Sequence, residues 1–334
     1  MINPAESGLT LQQRLSKTSL FNELGDRWLS RRKLIAGSNT NLMELGEIKY
    51  QEIYDYYAKT IANNWTGEQF SLKKDEKDYS QISEVERKTA ERVVASLVFL
   101  ESVLLDNYYV IVPYFTAPEC TLVASAMIAQ TANHANALSN VVRGVVGQQE
   151  RDPLYNSWRT IENMRERNKL INNKFLEFTN KPLVINFLDD LVISIFIQVA
   201  MIPSELSLVY ALTRRGRMPG TFEILRRMQR DLDIHSKVLT SIYLKIIEEN
   251  PILNSTELKE HILKLTRDLT NLETDFTQFL TEGMIPGLNN LMIAKFTQAQ
   301  ANKVLKMLSM DPLFPGVGGQ PIPWFESYSE IRTR

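Results

Sequence analysis

With only 14 glycines and 13 prolines among 334 residues, the chain is too poor in turn-formers for a β-sandwich or a Gly-rich nucleotide fold, and it points to long helices. A net charge of −1 excludes an electrostatic nucleic-acid binder, and the single cysteine, Cys120, excludes internal disulfides and a cysteine zinc site. The apolar share of 44% is enough for a substantial core; a polar N-terminus argues against a signal peptide, and a reducing, cytoplasmic setting is expected.

Residues 1–45 read as a polar N-terminal arm. Its basic run, Arg31-Arg32-Lys33, is expected to be a solvated face rather than a binding patch. Helical patterning then covers 46–62 and ends at Asn64-Trp65-Thr66-Gly67-Glu68. The polar stretch 71–80, with Lys73, Lys74, Asp75 and Glu76, reads as a connecting loop or turn. From 83 to about 107 runs a long helix, amphipathic at first and then nearly all apolar. Glu101 falls inside the apolar part. A buried carboxylate needs a partner, a metal or a proton, because desolvation is costly; the plain alternative is that Glu101 reaches solvent.

Pro113 and Pro118 mark a break. Pro118-Glu119 opens the next helix, with Pro and an acid in its first turn. That helix carries Thr131, His134 and Leu138 to Val142, and Gly144 and Gly147 close it. Segment 148–181 is polar, with Trp158 as an anchor. Residues 191–203, which include Gln198, form the most apolar stretch; at 13 residues it is too short to span a bilayer and reads as a core helix. It lies within a longer apolar run, 187–212, that Pro203 should kink or bulge. After a turn at 214–220, a helix over 221–250 carries Asp231, Leu232 and His235. An amphipathic helix over 255–282 holds His261, expected at the surface. A last helix covers 288–309. The reading is one all-α domain over 46–311, with the arm 1–45 before it and an irregular segment 312–334 after it.

The order and spacing of several markers resemble the small, radical-generating subunit of class I ribonucleotide reductase, over roughly residues 46–325. The markers are Tyr50; Trp65-Thr66; Phe99-Leu100-Glu101-Ser102; Pro118-Glu119 leading to His134 and on to Ser139-Asn140-Val141-Val142-Arg143; Arg230-Asp231-Leu232-Asp233-Ile234-His235; Gly287-Leu288-Asn289; and Pro321-Ile322-Pro323-Trp324. The resemblance implies a ferritin-like helical bundle that dimerises and works with a large subunit in deoxyribonucleotide synthesis. In that family four carboxylates and two histidines hold two irons or manganeses, which oxidise a nearby tyrosine. The radical then passes through a tryptophan and an aspartate.

Carried over residue by residue, Glu101 falls on the first carboxylate position, and His134 and His235 on the two histidines. Trp65 and Asp231 fall on the transfer path. Thr131, Gln198 and Leu232 stand where the other carboxylates are expected, and Leu138 stands at the tyrosine position. A slip of one residue would bring Gln130 and Asn133 into the histidine helix positions and restore neither a carboxylate nor the tyrosine. Tyr108, Tyr109 and Tyr210 are other phenols that no spacing argument separates.

Glu101 alone gives too little negative charge to hold two divalent ions. A metal-free core is therefore expected, the alternative being a single iron or manganese on Glu101, His134 and His235. Two functions fit. One is a metal-independent small subunit, supported by Trp65 and Asp231. The other is a non-catalytic paralogue that heterodimerises with a metal-competent small subunit and stabilises it. Whether the chain is an oxidoreductase subunit by itself is left open between them. The expected partners are the large subunit and a second small subunit, in a homodimer or heterodimer, with neither nucleic acid nor membrane. Another kind of ferritin-like protein is disfavoured by Trp65, Asp231 and the Pro321–Trp324 element.

Overall fold

The computed structural model describes residues 8–25, 31–281, 285–318 and 320–329. Twelve α-helices account for most of these residues, and the all-α expectation holds. In chain order they are α1 (Gln51–Ala62), α2 (Lys73–Tyr79), α3 (Glu84–Ile111), α4 (Pro118–Val145), α5 (Gln148–Thr160), α6 (Glu162–Asn180), α7 (Val184–Phe196), α8 (Ile202–Thr213), α9 (Pro219–Glu249), α10 (Thr256–Thr281), α11 (Asn290–Met307) and α12 (Phe325–Ser329).

The long helices start where local chemistry dictates. Ser83 accepts from the Glu86 N–H while the Glu86 carboxylate accepts from the Ser83 N–H, a reciprocal cap that opens α3. Pro118, with no N–H to leave unsatisfied, opens α4. α3 packs against α4 and α8, and α9 packs against α1, α4, α7 and α8, so the polar residues of α3, α4 and α9 meet inside the bundle. α6, α10 and α11 close the other side.

Between α7 and α8 the chain forms one π-helical turn, Ile197–Met201, directly before Pro203. Pro203 cannot donate a backbone hydrogen bond, and the wider turn absorbs that loss. The expected bulge is present, and Gln198 sits in it. Together α7, the π turn and α8 run 30 residues, long enough to cross a membrane, so the argument from a 13-residue stretch does not hold; the most apolar part of that helix is instead wholly buried inside the bundle.

Two local expectations are corrected and two are made more specific. Residues 73–79 are a helix, not a loop. They lack an apolar stripe because α2 buries acids: Asp75 accepts the Gly220 and Thr221 N–H groups at 2.9 and 2.6 Å, and Asp78 accepts Met218 N–H at 2.9 Å, capping α9. Gly220 is needed there, since a Cβ would collide with the Ser71 carbonyl. The basic run is not a solvated face, because Arg32 is buried and pairs with Glu119 at 3.3 Å; only Arg31 is exposed. His261 is half-buried, 2.7 Å from Asp189 of α7. Trp158 remains 41% exposed and anchors only through one face, stacked on Phe99 at 5.7 Å.

The described part of the N-terminal arm is bound to the body. Leu9 N–H donates to the Asn250 side chain at 3.0 Å, and Leu34 N–H to Glu249 at 3.1 Å. Leu15 N–H donates to Pro182 at 2.7 Å, and Leu34 and Ile35 are buried in the core.

Candidate functional site

Glu101 on α3, His134 on α4 and Asp231 on α9 converge in the centre of the bundle, all fully buried. His134 lies between the two carboxylates. Its Nδ1 is 3.1 Å from Glu101 Oε2 and its Nε2 is 3.0 Å from Asp231 Oδ2. An ionised carboxylate only accepts, so both ring nitrogens donate and the ring is an imidazolium. Burial opposes that charge, but the pull of Glu101 and Asp231 outweighs it and raises the His134 pKa to about 9.

Asp231 also accepts the Trp65 indole N–H at 2.7 Å and the Asn63 amide. The Trp65 ring stacks on His134 with centroids 5.9 Å apart. Trp65, Asp231, His134 and Glu101 thus form one continuous hydrogen-bonded chain.

His235 lies one ring further in, 6.1 Å from His134. Burial and the neighbouring His134 charge push its pKa well below the usual value, so it is neutral. Its Nε2 is 2.8 Å from Gln130 Oε1. Gln130 is held with its oxygen towards the ring because its amide nitrogen donates to the Thr60 and Asn63 carbonyls at 3.0 and 3.2 Å. Nε2 therefore carries the proton, which leaves Nδ1 as an acceptor.

The remaining positions are turned away or inert. Thr131 donates back to its own helix at the Met127 carbonyl, 2.9 Å. Gln198 donates to the Tyr108 hydroxyl at 3.0 Å and to the Ser194 carbonyl at 2.9 Å. Leu232 and Leu138 are buried and bring no donor atom. Of the three phenols, Tyr108 and Tyr210 are fully buried, and Tyr108 is the one bonded to Gln198. Tyr109 is 62% exposed, and Tyr210 bonds Gln229 at 2.8 Å. Sequence reading left Asn63 out and met Gln130 only through an alternative register. Neither has a local signal, since each acts through a contact made only on folding.

Two divalent ions do not fit this arrangement. The His134 nitrogen nearest Glu101 is occupied by that carboxylate, Thr131 is committed to its helix, and Leu232 offers nothing. Glu101 Oε1, Gln198 Oε1 and His235 Nδ1 are buried acceptors with no hydrogen-bond partner, and together they carry one negative charge. Among the described residues no group of three or more His, Cys, Asp or Glu side chains is arranged to hold a metal.

The sequence profile of the family described as "Ribonucleotide reductase, small chain" matches residues 42–321. The chain belongs to that family. Among its relatives is the ribonucleoside-diphosphate reductase subunit beta of Treponema pallidum, 27% identical over 326 residues, covering 97% of this chain and 92% of that protein. The ribonucleotide reductase R2 subunit from Clostridium botulinum superposes with a TM-score of 0.92 at 29% identity, over 96% of this chain and all of that one. The dimanganese(II) NrdF of Streptococcus sanguinis shares the fold at 20% identity, with a TM-score of 0.75 over 86% of this chain and 98% of that one. The fold is the ferritin-like bundle of the ribonucleotide reductase small subunit, as expected from the sequence. Proteins of this family dimerise and work with a large subunit.

Proposed function

We propose that this ribonucleotide reductase small chain acts in cytoplasmic deoxyribonucleotide synthesis with a core held by hydrogen bonds in place of two metals. The observation that carries the reading is His134. Its two ring nitrogens are both taken by carboxylates, so an imidazolium occupies the place between Glu101 and Asp231. Its positive charge offsets those anions, a role a metal cation would otherwise fill.

The Trp65–Asp231–His134 chain favours a subunit that engages the large subunit as a metal-independent partner, because a purely structural core has no need of an indole bonded to its carboxylate. Leu138, buried and apolar at the tyrosine position, favours the second reading: a non-catalytic paralogue that heterodimerises with a metal-competent small subunit and stabilises it.

Metal content per chain after anaerobic reconstitution with iron and with manganese tests the core. Near zero is expected. Two equivalents would overturn the proposal, and one would assign a single ion to Glu101, His134 and His235. Sedimentation with the large subunit alone, and with a metal-competent small subunit, then separates the two readings: self-association and large-subunit binding support the first, and preferential heterodimerisation supports the second.

A further inference from the structure

A second ionic cluster joins α3, α6, α8 and α10. Arg167 of α6 is fully buried. Its Nη1 donates to Glu205 Oε1 of α8 at 2.6 Å and to Glu273 Oε2 of α10 at 2.8 Å. Its Nη2 donates to Ser96 of α3 at 2.6 Å, and Ser96 in turn donates to Glu205 Oε1 at 2.7 Å. The neighbouring Asn168 oxygen accepts from Nε and Nη2 at 3.2 and 3.1 Å, and the Phe276 ring covers the guanidinium at 4.2 Å. Both carboxylates are fully buried, and Glu205 Oε2 and Glu273 Oε1 have no hydrogen-bond partner.

The charge does not balance. Arg167 remains a cation at any accessible pH and supplies one positive charge against two carboxyl groups. An unpaired anion without solvent costs far more than a neutral acid, so one proton stays in the cluster. Donor count selects its site. Glu205 Oε1 receives two donors, Ser96 and Arg167; Glu273 Oε2 receives Arg167 alone. We propose that Glu273 holds a buried proton over the Arg167–Glu205 pair, making the seam between α6, α8 and α10 a pH-sensitive lock.

The charged groups facing Glu273 are Arg167 from α6 and Glu205 from α8, while α3 presents the neutral Ser96. Arg92, one turn earlier on α3, lies over Phe279 at 4.7 Å. Burial raises the Glu273 pKa well above its usual value; Glu205 adds to the rise, and Arg167 opposes it. In the unfolded chain the same carboxyl ionises at about 4.3. Folding therefore retains a proton that the unfolded chain loses. The sign follows: stability is greatest at low pH and declines as pH rises from the unfolded value towards the folded one.

The test uses the full chain and two readouts. Thermal unfolding is followed from pH 5 to 8.5 in the wild type and in Glu273→Gln, whose amide oxygen still accepts from Arg167. The wild-type midpoint should fall more steeply with pH than that of the variant, and at pH 8 the variant should melt about 2 °C or more above the wild type. Infrared difference spectra of the wild type against Glu273→Gln and Glu205→Gln at pH 8 should show the loss of one protonated carboxylic-acid band in either variant, since one remaining carboxyl ionises against Arg167. Parallel pH slopes with no band lost would overturn the proposal. The infrared readout decides on either single variant, so failure of one to fold leaves the question answerable.

Discussion

Trp65 and Asp231, 166 residues apart in the chain, meet at 2.7 Å in a buried hydrogen bond that ties the segment after α1 to the middle of α9. Asp231 answers three donors at once, from Trp65, Asn63 and His134. Asp231→Ala strands all three in the core, one of them charged. It is expected to lower the unfolding free energy by about 3–5 kcal/mol, read as a lower urea midpoint at unchanged slope.

Restoring charge should restore metal. Thr131→Glu, Gln198→Glu and Leu232→Glu together place three carboxylates in a fully buried region that now has Glu101 and Asp231. The triple variant is expected to be destabilised when metal-free and to gain thermal stability on adding manganese or iron, with two equivalents bound. The wild-type melting temperature should not respond. A triple variant that folds and binds no metal would count against the assignment of these positions.

Tyr108 and Tyr109 are adjacent in sequence and opposite in role. Tyr108→Phe removes the oxygen that Gln198 donates to and should cost about 1 kcal/mol. Tyr109→Phe, at an exposed position, should stay within about 0.5 kcal/mol of the wild type. Chemical unfolding of the pair provides the comparison.

Acid should loosen the start of α9. Burial pushes the Asp78 carboxyl up, but Lys74 at 2.6 Å, the Met218 N–H at 2.9 Å and Arg217 at 3.5 Å together hold it below its usual range. A depressed carboxylate contributes stability above its unfolded value, about 3.9, and that contribution is lost as pH falls through the lower folded value. Asp78→Asn should melt lower than the wild type at pH 7, and the gap should narrow at the most acidic pH that still permits folding.

The long helices were legible because their periodicity and their starts agree: Ser83 with Glu86, and Pro118 with Glu119. Gln198 and the bulge around it were legible from Pro203. Glu101 stood out as a charge inside an apolar run. α2 was not legible, since its buried groups are Asp75 and Asp78 and their reason for burial is a helix start 140 residues or more away. Arg167 was equally hidden. In a polar segment it reads as one more solvated cation, and only the approach of α8 and α10 gives it two carboxylates. Local pattern shows where apolar faces lie; pairings between buried charges depend on which helices meet.

The anchors of the N-terminal arm set an order of events during synthesis. Leu34 is held by Glu249, 215 residues later, and Leu9 by Asn250, 241 residues later. A ribosome releases the arm well before these two docking sites, so the contacts of Leu9 and Leu34 with them form late. Leu34 and Ile35 can already meet Thr116 and Phe115 once α3 has emerged, but the Glu249 and Asn250 anchors wait for the C-terminal end of α9. Throughout that interval the nascent chain presents Leu20, Phe21 and Leu24, which stay exposed even after folding. Slow elongation through α9 would lengthen this interval and with it the exposure of the arm to chaperones and proteases.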